Sequence, residues 1–566
     1  MNQIMTSLNP AVIFLIAGLF APFAPANARR YITLAAPVIG LVLLLVADYG
    51  NHGQLELFNL QLTMYRLDKL AFVWALIFHI AAFIGALYAF HLKDATQQTA
   101  GLLYQGAAIG AVLAGDLLTL FIWWELTAIA SVFLIWARKT DRAYNAGMRY
   151  LMIQIGSGVI LLTGLLIHYN QTGSLAFNHL GLESFATWLI FIAFGIKCAF
   201  PLLHNWLQDA YPEATVTGTV ILSAFTTKLA VYALARGYAG TEILIWIGAI
   251  MTAFPIFFAV IENDLRRVLS YSLNNQLGFM VVGVGIGTEM ALNGTAAHAF
   301  SHILYKALLF MAMGAVLYRV KTIKASELGG LYKSMPWTTV FCIIGSLSIS
   351  AFPLFSGFIS KSMILTAVAV EHHTIVWLIL LLASAGVMDH SGIKIPFFAF
   401  FAHDSGKRCE EAPKHMLWAM GITAFLCIAI GVYPQALYSI LPYPVDYAPY
   451  TTAHVITQLQ LLMFSALAFV FLFKTGLYPP EVRSHNLDTD WFYRVGAASV
   501  IAPISKGIGG ATQSLFAGLS ATWQQSIAAL DKVMGPRAWL SRSVDSTGMV
   551  ALTMGSLLVF LLLYLI

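Results

Sequence analysis

Charge is what this sequence has least of. Only 10% of its 566 residues are Asp, Glu, Lys or Arg, whereas about 25% of a soluble domain is charged. Hydrophobic residues make up 59% of the chain. This composition excludes a soluble globular protein and predicts a polytopic membrane protein. The basic residues occur as short clusters between apolar runs, so nucleic acid is not an expected partner.

Cysteine pairs and glycine motifs are also missing. The four cysteines lie far apart and show no metal-ligand spacing: Cys198, Cys342, Cys409 and Cys427. The chain contains no Rossmann glycine pattern and no phosphate-binding loop. We therefore expect no cofactor, redox centre or nucleotide site in this chain.

Long apolar runs are abundant. A crossing needs about 20 apolar residues, and the chain supplies about sixteen such runs, among them 214–237 and 337–370. The apolar N-terminus, residues 10–24, has no basic region before it and predicts a first crossing, not a cleaved signal. Basic clusters such as Arg29/Arg30 and Arg266/Arg267 mark predicted cytoplasmic loops. The pattern predicts a multi-pass protein of the bacterial inner membrane, with both termini outside.

The segment 479–546 departs from this pattern. It carries several charges and then a mildly amphipathic stretch rich in Ala, Gly and Ser. We expect a cytoplasmic helix along the membrane face; the alternative is a loose linker with a short interfacial helix. The expected boundaries are 1–97 for N-terminal transmembrane helices, 98–240 and 241–403 for two inverted repeats, 404–478 for C-terminal transmembrane helices, 479–546 for the amphipathic segment and 547–566 for a final anchor.

Ionisable residues inside apolar runs are the main functional signal, because each costs a few kcal/mol, roughly 2.5–3.5, at the bilayer centre. Glu125, Lys197 and Lys228 are three of them. Glu125 either stays neutral and hydrogen-bonded or pairs with Lys197, since opposite charges keep each other ionised. Pro201 predicts a helix break beside a cavity. The polar residues that follow form either a channel mouth or a solvated loop: His204, Asp209 and Glu213.

A second group lies further along. His298, His302 and Lys306 recur every four residues and share one helical face. Their spacing also occurs in zinc sites, but no third ligand is placed and Ala299 stands where a metalloprotease has Glu, so no metal is expected. Histidine titrates near neutrality, which suits proton transfer.

Lys361 and Lys394 complete the set. Each lies near a proline, Pro353 or Pro396, as Lys197 lies near Pro201. Lys197 and Lys228 thus form one pair, and Lys361 and Lys394 form a second. Corresponding members of the two pairs are about five crossings apart. An odd number of crossings inverts the second copy relative to the membrane, so the pattern predicts an inverted repeat. The nearby polar residues form either an exit mouth or solvated helix ends: Asp389, His390, His403 and Asp404.

Several motifs in fixed order resemble one family: GDLLTLFIWWEL, KCAFPLLHNWLQDAYPEA, ENDLRRVLSYSLNNQLG, HAFSHILYKALLF and FPLFSGFISKS. They look like the antiporter-like subunits shared by Mrp-type cation/proton antiporters and respiratory complex I. The resemblance covers residues 60–435. It implies about fourteen core helices with two inverted five-helix units and broken seventh and twelfth helices.

The resemblance also implies roles. Glu125 matches the fifth-helix glutamate, Lys197 and Lys228 the seventh- and eighth-helix lysines, and Lys361 the twelfth-helix lysine. The central relay matches His298, His302 and Lys306, and Lys394 is the weaker match. IKIPFFAFF and LDTDWFYR are similar to the D-type subunits of Mrp antiporters. The family usually has a proline after the alanine where this chain reads EATVTG.

These features predict a proton-translocating subunit of a multisubunit monovalent cation/proton antiporter, and not an enzyme. Expected partners are other membrane subunits, protons, Na⁺ or K⁺ and the lipid bilayer. Three alternatives stay open: a proton-pumping subunit of a complex I-like NADH:quinone oxidoreductase, a proton-flux subunit coupled to inorganic-carbon uptake, and a structural anchor with vestigial charges.

Overall fold

The computed structural model describes residues 8–57, 60–483, 486, 488–496, 499, 521, 524–526, 528–529 and 546–565. It divides the chain into two units, Met1–Asn486 and Leu487–Ile566. About 75% of the structure is helical, and ten helices of its described part are long and apolar enough to cross a membrane. The predicted helical, polytopic fold is confirmed.

The first half of the larger unit contains a hairpin and ten helices. Their bounds are α1 Ala11–Phe20, α2 Ala26–Val46, β1 Gly50–Leu57, β2 Leu60–Leu67, α3 Lys69–Tyr88, α4 Ala95–Val112, α5 Leu117–Trp136, α6 Asp141–Thr172, α7 Phe185–Cys198, α8 Asn205–Ala210, α9 Val216–Ala224 and α10 Thr226–Gly237.

The second half of this unit continues with α11 Ile243–Ile261, α12 Leu265–Ile286, α13 Glu289–Val320, α14 Pro336–Ile349, α15 Ser356–Val370, α16 Thr374–Val387, α17 Lys414–Val432, α18 Gln435–Tyr438 and α19 Thr452–Thr475. The smaller unit contains α20, Ser546–Leu565, at the predicted anchor. Most of the predicted amphipathic segment 479–546 lies outside the described residues.

Short polar side chains begin many of these helices. An oxygen at the N-cap position accepts a bond from an otherwise unsatisfied backbone N–H of the first turn. Such caps are made by Asp68, Asp94, Asp116, Thr140, Ser184, Thr215, Asp264, Thr288 and Thr451. The capping residues therefore set where each helix begins, which the similar apolar composition of the runs does not.

One hairpin adds to the predicted helices. Strands β1 and β2 pair antiparallel, with Gly50 opposite Leu67 and Leu57 opposite Leu60. The cap residue of α5, Asp116, also accepts a bond from the Thr63 N–H at 2.8 Å and so ties the hairpin to the bundle. The alternation of apolar and polar residues along β2 is the period-two pattern of a half-buried strand.

Two predicted proline breaks are confirmed, and they have the same geometry. The sequence Ala-Phe-Pro-Leu occurs at 199–202 and again at 351–354. The alanine is left-handed in both copies, with φ of 63° and 58°, and so is the leucine, with φ of 70° and 74°. In both, the phenylalanine N–H bonds the carbonyl five residues back, at 3.0 Å, which is the helix-ending Schellman pattern.

Two predicted crossings differ from a plain helix. The run 214–237 is interrupted at Phe225, where α9 ends and α10 begins, three residues before Lys228. The α16 crossing continues to Phe401 through π-helical turns at Met388–Ile393 and Phe397–Phe401. Wide turns of this kind often occur at functional sites because they reposition side chains within a helix.

The interior of the larger unit is built on α9, α10 and α13. In the most apolar 18-residue stretch of each helix, 100% of the residues are buried in Val216–Gly237 and 94% in Glu289–Val320, but only 17% in Thr452–Thr475. Charged side chains on the first two segments therefore face protein and not lipid. This position accounts for how a membrane helix can carry lysine and histidine at mid-length.

Candidate functional site

The predicted basic residues all lie inside the protein. Seven side chains are no more than 1% exposed: Lys197, Lys228, His298, His302, Lys306, Lys361 and Lys394. Among the described residues no group of three His, Cys, Asp or Glu side chains could hold a metal ion. We call these seven residues the row, and the contacts of each side chain indicate what chemistry it can support.

Lys197 on α7 reaches α5 but bonds the helix backbone there. Its ammonium donates to the Trp124 carbonyl and the Thr127 hydroxyl, both at 2.7 Å, and lies 4.3 Å from the centre of the Trp124 ring. Glu125 is half-buried on the neighbouring position of α5, and its Oε1 has no hydrogen-bond partner among the described residues. The carboxylate instead packs on Gly158 of α6. The Lys197 ammonium and the Glu125 carboxylate interact electrostatically, but each contacts a different group.

The predicted channel-mouth residues are buried, not solvated. Arg149 binds Asp209 through two bonds of 2.7 and 3.1 Å. Glu213 is bound by Arg138 at 3.1 Å and Arg142 at 2.7 Å. His204 is 1% exposed and packs on Phe254, 4.6 Å between ring centres. The two acids therefore fasten α6, and the segment after α5, to α8 and to the turn that follows it.

Arg266 belongs to a basic pair that marks a predicted cytoplasmic loop, but its side chain is buried in the protein and not solvated. It is 1% exposed in the first turn of α12. Its guanidinium donates to the carbonyls of Ala214 and Thr215, at 3.1 and 3.2 Å, and to the Thr219 hydroxyl. Arg266 thus holds the EATVTG loop in place.

Lys228 lies at the start of α10. Its ammonium donates to the Ser223 carbonyl at 2.5 Å, an oxygen made available by the helix interruption at Phe225. The neighbouring Thr227 hydroxyl has no hydrogen-bond partner in the described part of the chain. Such buried, unpaired polar atoms are positions where proteins hold internal water.

The histidines of α13 are linked by one tyrosine. Tyr305 OH lies 3.4 Å from His298 Nε2, and its ring lies 5.3 Å from that of His302. The other nitrogen of His298 contacts the Ser360 hydroxyl on α15 at 3.1 Å. Neither ring nitrogen of His302 is bonded to any residue that the structure describes. His298 therefore touches the helix that carries Lys361, and His302 keeps both nitrogens available.

A row of hydroxyl groups leads from Lys306 towards α16. The Lys306 ammonium donates to Ser272 Oγ at 2.9 Å, Ser391 Oγ donates to Ser272 Oγ at 2.8 Å, and His390 Nδ1 lies 2.8 Å from Ser391 Oγ. Ser272 belongs to α12, and the last two residues belong to the first π-helical turn after α16. This link was not predicted, because serine is common in helices and carries no charge signal.

The last two lysines have different surroundings. Lys361 on α15 donates to the Ile349 carbonyl at 3.1 Å, an oxygen at the end of α14 left free by the second break. Lys394 donates to the Val260 carbonyl at 2.6 Å and forms an ion pair with Glu481 at 2.7 Å. Of the four predicted exit-mouth residues, His390 is buried, whereas His403 and Asp404 are exposed. Glu481 was not predicted as a site residue.

Comparison with known proteins gives the class. Residues 114–387 match the family described as "NADH:quinone oxidoreductase/Mrp antiporter, TM". Hydrogenase-4 component B of Escherichia coli K12 is 26% identical over 415 residues, 65% of this chain and 62% of that protein. The D-type subunit of the Na(+)/H(+) antiporter of Alkalihalophilus pseudofirmus is 29% identical over 323 residues, 53% and 64% of the two chains. NADH-quinone oxidoreductase subunit M of Pseudomonas aeruginosa is 27% identical, covering 59% and 71%. The chain thus spans less than two thirds of the first two relatives.

Two solved structures have the same fold. The Mrp complex from Dietzia sp. DQ12-45-1b matches with a TM-score of 0.69 at 21% identity, covering 83% of this chain and 99% of that one. The membrane-bound sulfane sulfur reductase, an archaeal respiratory membrane complex, matches with a TM-score of 0.70 at 22% identity, covering 98% and 99%. Both are multisubunit membrane complexes.

Fold and relatives define a polytopic, antiporter-like membrane subunit. Over residues 114–387 the chain is similar to the antiporter-like subunit family that Mrp antiporters and NADH:quinone oxidoreductases share.

Proposed function

We propose that this chain is the proton-translocating subunit of a multisubunit monovalent cation/proton antiporter, corresponding to the D-type subunit of Mrp antiporters, in the bacterial inner membrane with both termini outside. The observation that carries the proposal is the row of seven basic residues, each no more than 1% exposed, in the interior of a membrane bundle. Burying so many ionisable groups is expensive, and in membrane proteins such groups mark ion and proton pathways.

The step at Lys197 depends on Glu125. A nearby carboxylate favours the charged form of a lysine, whereas desolvation favours the neutral amine. When Glu125 approaches Lys197, the lysine holds its proton; when the carboxylate rests on Gly158, the lysine releases it more readily. Motion of one side chain between two positions would thus gate proton uptake.

From Lys197 the proton passes to Lys228, then across His302 to Lys306 and on to Lys361 or Lys394. Water is needed between several of these groups, and the unpaired atoms of Thr227 and His302 are suitable places for it. Beyond Lys306, the contacts with Ser272 and Ser391 favour the branch towards His390 and Lys394. A hydroxyl can accept one proton and donate another, so a serine row can relay protons.

The test uses the native complex in everted membrane vesicles with a pH-sensitive dye. We expect Glu125→Gln and Lys197→Ala each to reduce cation-dependent proton movement by roughly tenfold or more, because each removes a titrating group. The matched controls are Glu183→Gln and Lys69→Ala, which change exposed residues of the same types outside the row. Near-normal proton movement in both relay variants, with the complex assembled, would refute the proposal.

A second candidate is a proton-pumping subunit of a complex I-like assembly. It is supported by the similarity to a NADH-quinone oxidoreductase subunit M and to a hydrogenase-4 component. The same relay would then be driven by redox chemistry in partner subunits. Purification of the complex in mild detergent discriminates the two: co-purifying iron–sulfur proteins favour this candidate, and small membrane subunits without iron favour the antiporter.

A further inference from the structure

The segment after α19 returns to the protein and is fixed there. Tyr478 is 7% exposed and packs on Phe398 and Phe469, with ring centres 6.4 and 5.1 Å away. A few residues later Arg483 pairs with Glu327 at 2.6 Å. This anchored segment, residues 476–483, follows the last crossing of the larger unit and lies outside the matched family region.

Glu481 lies between those two anchors and points inward. Its side chain is 7% exposed and that of Lys394 is 0% exposed, and the two form the 2.7 Å ion pair. A cavity of about 320 Å³ adjoins it, lined by Glu481, Ser326, Phe398 and His403. Because His403 is exposed, the cavity reaches the protein surface. Glu481 therefore has the terminal lysine on one side and an opening on the other.

We propose that Glu481 is the carboxylate through which Lys394 exchanges protons with the aqueous phase. The proposal rests on the proton-translocating function proposed above. In the outward step one N–H bond of the Lys394 ammonium breaks and an O–H bond forms on Glu481, which leaves a neutral amine and a neutral acid. The acid then gives its proton to water in the cavity and becomes a carboxylate again. The reverse order loads the lysine.

The surroundings suit a group that is alternately charged and neutral. Burial raises the pKa of the Glu481 carboxyl; the Lys394 ammonium opposes that rise and Glu262 adds to it, so the net shift is upward. The other titratable neighbours described are Tyr478, which interacts electrostatically with Glu481, Asp389, within electrostatic range of Lys394, and His403 across the cavity. A raised value places the acid nearer the range in which it can both accept and release a proton.

A static clamp is the competing explanation. A buried ion pair is a weak source of stability, since an apolar pair of similar volume often serves as well or better. The segment also has other attachments, namely the packing of Tyr478 and the pairing of Arg483 with Glu327. A clamp would therefore be dispensable once an apolar pair replaced it, and a proton-exchange group would not.

The experiment measures proton movement by the whole complex in everted vesicles. We expect Glu481→Gln to lower the rate by roughly tenfold or more and Glu481→Asp to retain most of it, because only aspartate keeps a titrating carboxyl. Glu481→Ala should be equally slow, but sodium formate should restore part of its rate, since a small acid fits the cavity. The double variant Lys394→Met/Glu481→Leu should assemble normally and stay inactive.

The matched control is Glu327→Gln, which makes the same chemical change on the same segment's other anchor. We expect it to keep near-normal rates and to show no response to formate. Normal rates in an assembled Glu481→Gln complex, or in the apolar double variant, would overturn the role of Glu481. Glu125→Gln and Lys197→Ala are measured in parallel to separate the two proposals. If these two variants are inactive while Glu481→Gln is active, the proton-translocating function stands and only the proton-exchange role of Glu481 fails.

Discussion

The Glu125 carboxylate on α5 rests against the bare Cα of Gly158 on α6, at a place where any side chain would collide with it. A Cβ at Gly158 would overlap Glu125 Oε1, whereas a Cβ at Gly156 would meet no described atom within 4 Å. Gly158 thus provides the space for one of the two proposed positions of Glu125.

Gly158→Ala is therefore expected to displace Glu125 from this position and slow proton movement by roughly tenfold to a hundredfold, because catalytic groups are sensitive to shifts of about 1 Å. Gly156→Ala changes the same helix two residues away and should leave the rate unchanged. Dye-based proton movement in vesicles measures both. Equal rates in the two variants would show that Glu125 does not need this space.

The serine bridge gives a second prediction. Ser272→Ala removes the oxygen that Lys306 and Ser391 share and should slow proton movement several-fold. Ser270→Ala is the control, because that buried hydroxyl donates to the Arg266 carbonyl of its own helix. If both serines act in one path, the double variant Ser272→Ala/Ser391→Ala should be no slower than the single variants. Additive losses would place the two serines on separate routes.

The second helix break predicts an effect on stability. Ala351 has φ of 58°, where a Cβ costs about 1–2 kcal/mol. Ala351→Gly should therefore keep or raise the thermal midpoint of the detergent-solubilised complex, whereas Ala351→Val should lower it, since β-branched residues are strongly disfavoured there. Ala369→Val, on an exposed position of α15, is the control. A destabilised glycine variant would contradict the assigned backbone geometry.

Asp264 predicts a pH dependence. Burial acts to raise the pKa of its carboxyl, but Lys324 at 3.0 Å and the neighbouring arginines outweigh burial, and the pKa is lowered below 3.8. Its stabilisation is thus fully present above about pH 4 and is lost as pH falls through the lowered value. Asp264→Asn keeps the helix cap but not the charge. It should therefore reduce the free energy of unfolding at pH 7 by about 1–2 kcal/mol, which is seen as a lower thermal midpoint.

The difference between wild type and Asp264→Asn should shrink as the pH is taken below 4. Circular dichroism melts of the purified complex at pH 7, 4, 3 and 2 would show this trend. A difference that stays constant down to the lowest pH would mean that the interaction with Lys324 contributes no stability.

Much of the relay could be predicted from sequence because a lysine inside an apolar run is unusual enough to be informative. Lys197, Lys228 and Lys361 are therefore visible without a structure, as are the proline breaks beside Lys197 and Lys361. Glu481 was missed for the opposite reason. It follows α19 among other charges, where solvated residues are expected, and only the return of the chain brings it to Lys394.

Other features depend on packing that no local pattern encodes. Arg266 resembles a loop residue by its neighbours, yet its partners are carbonyls some fifty positions earlier in the chain. The hairpin at 50–67 is short and lies between two long apolar runs, which dominate any hydropathy profile. The contact of Glu125 with Gly158 depends on the rotamer of the glutamate side chain, which the sequence alone does not specify.

The duplicated Ala-Phe-Pro-Leu segment gives the molecule an internal standard. Since four identical residues end a helix in the same way at two distant sites, any difference in how the two copies tolerate a substitution reports on their surroundings alone. The same substitutions made in 199–202 and in 351–354 would therefore separate the conformational preference of the tetrapeptide from the effect of its surroundings in each half of the bundle.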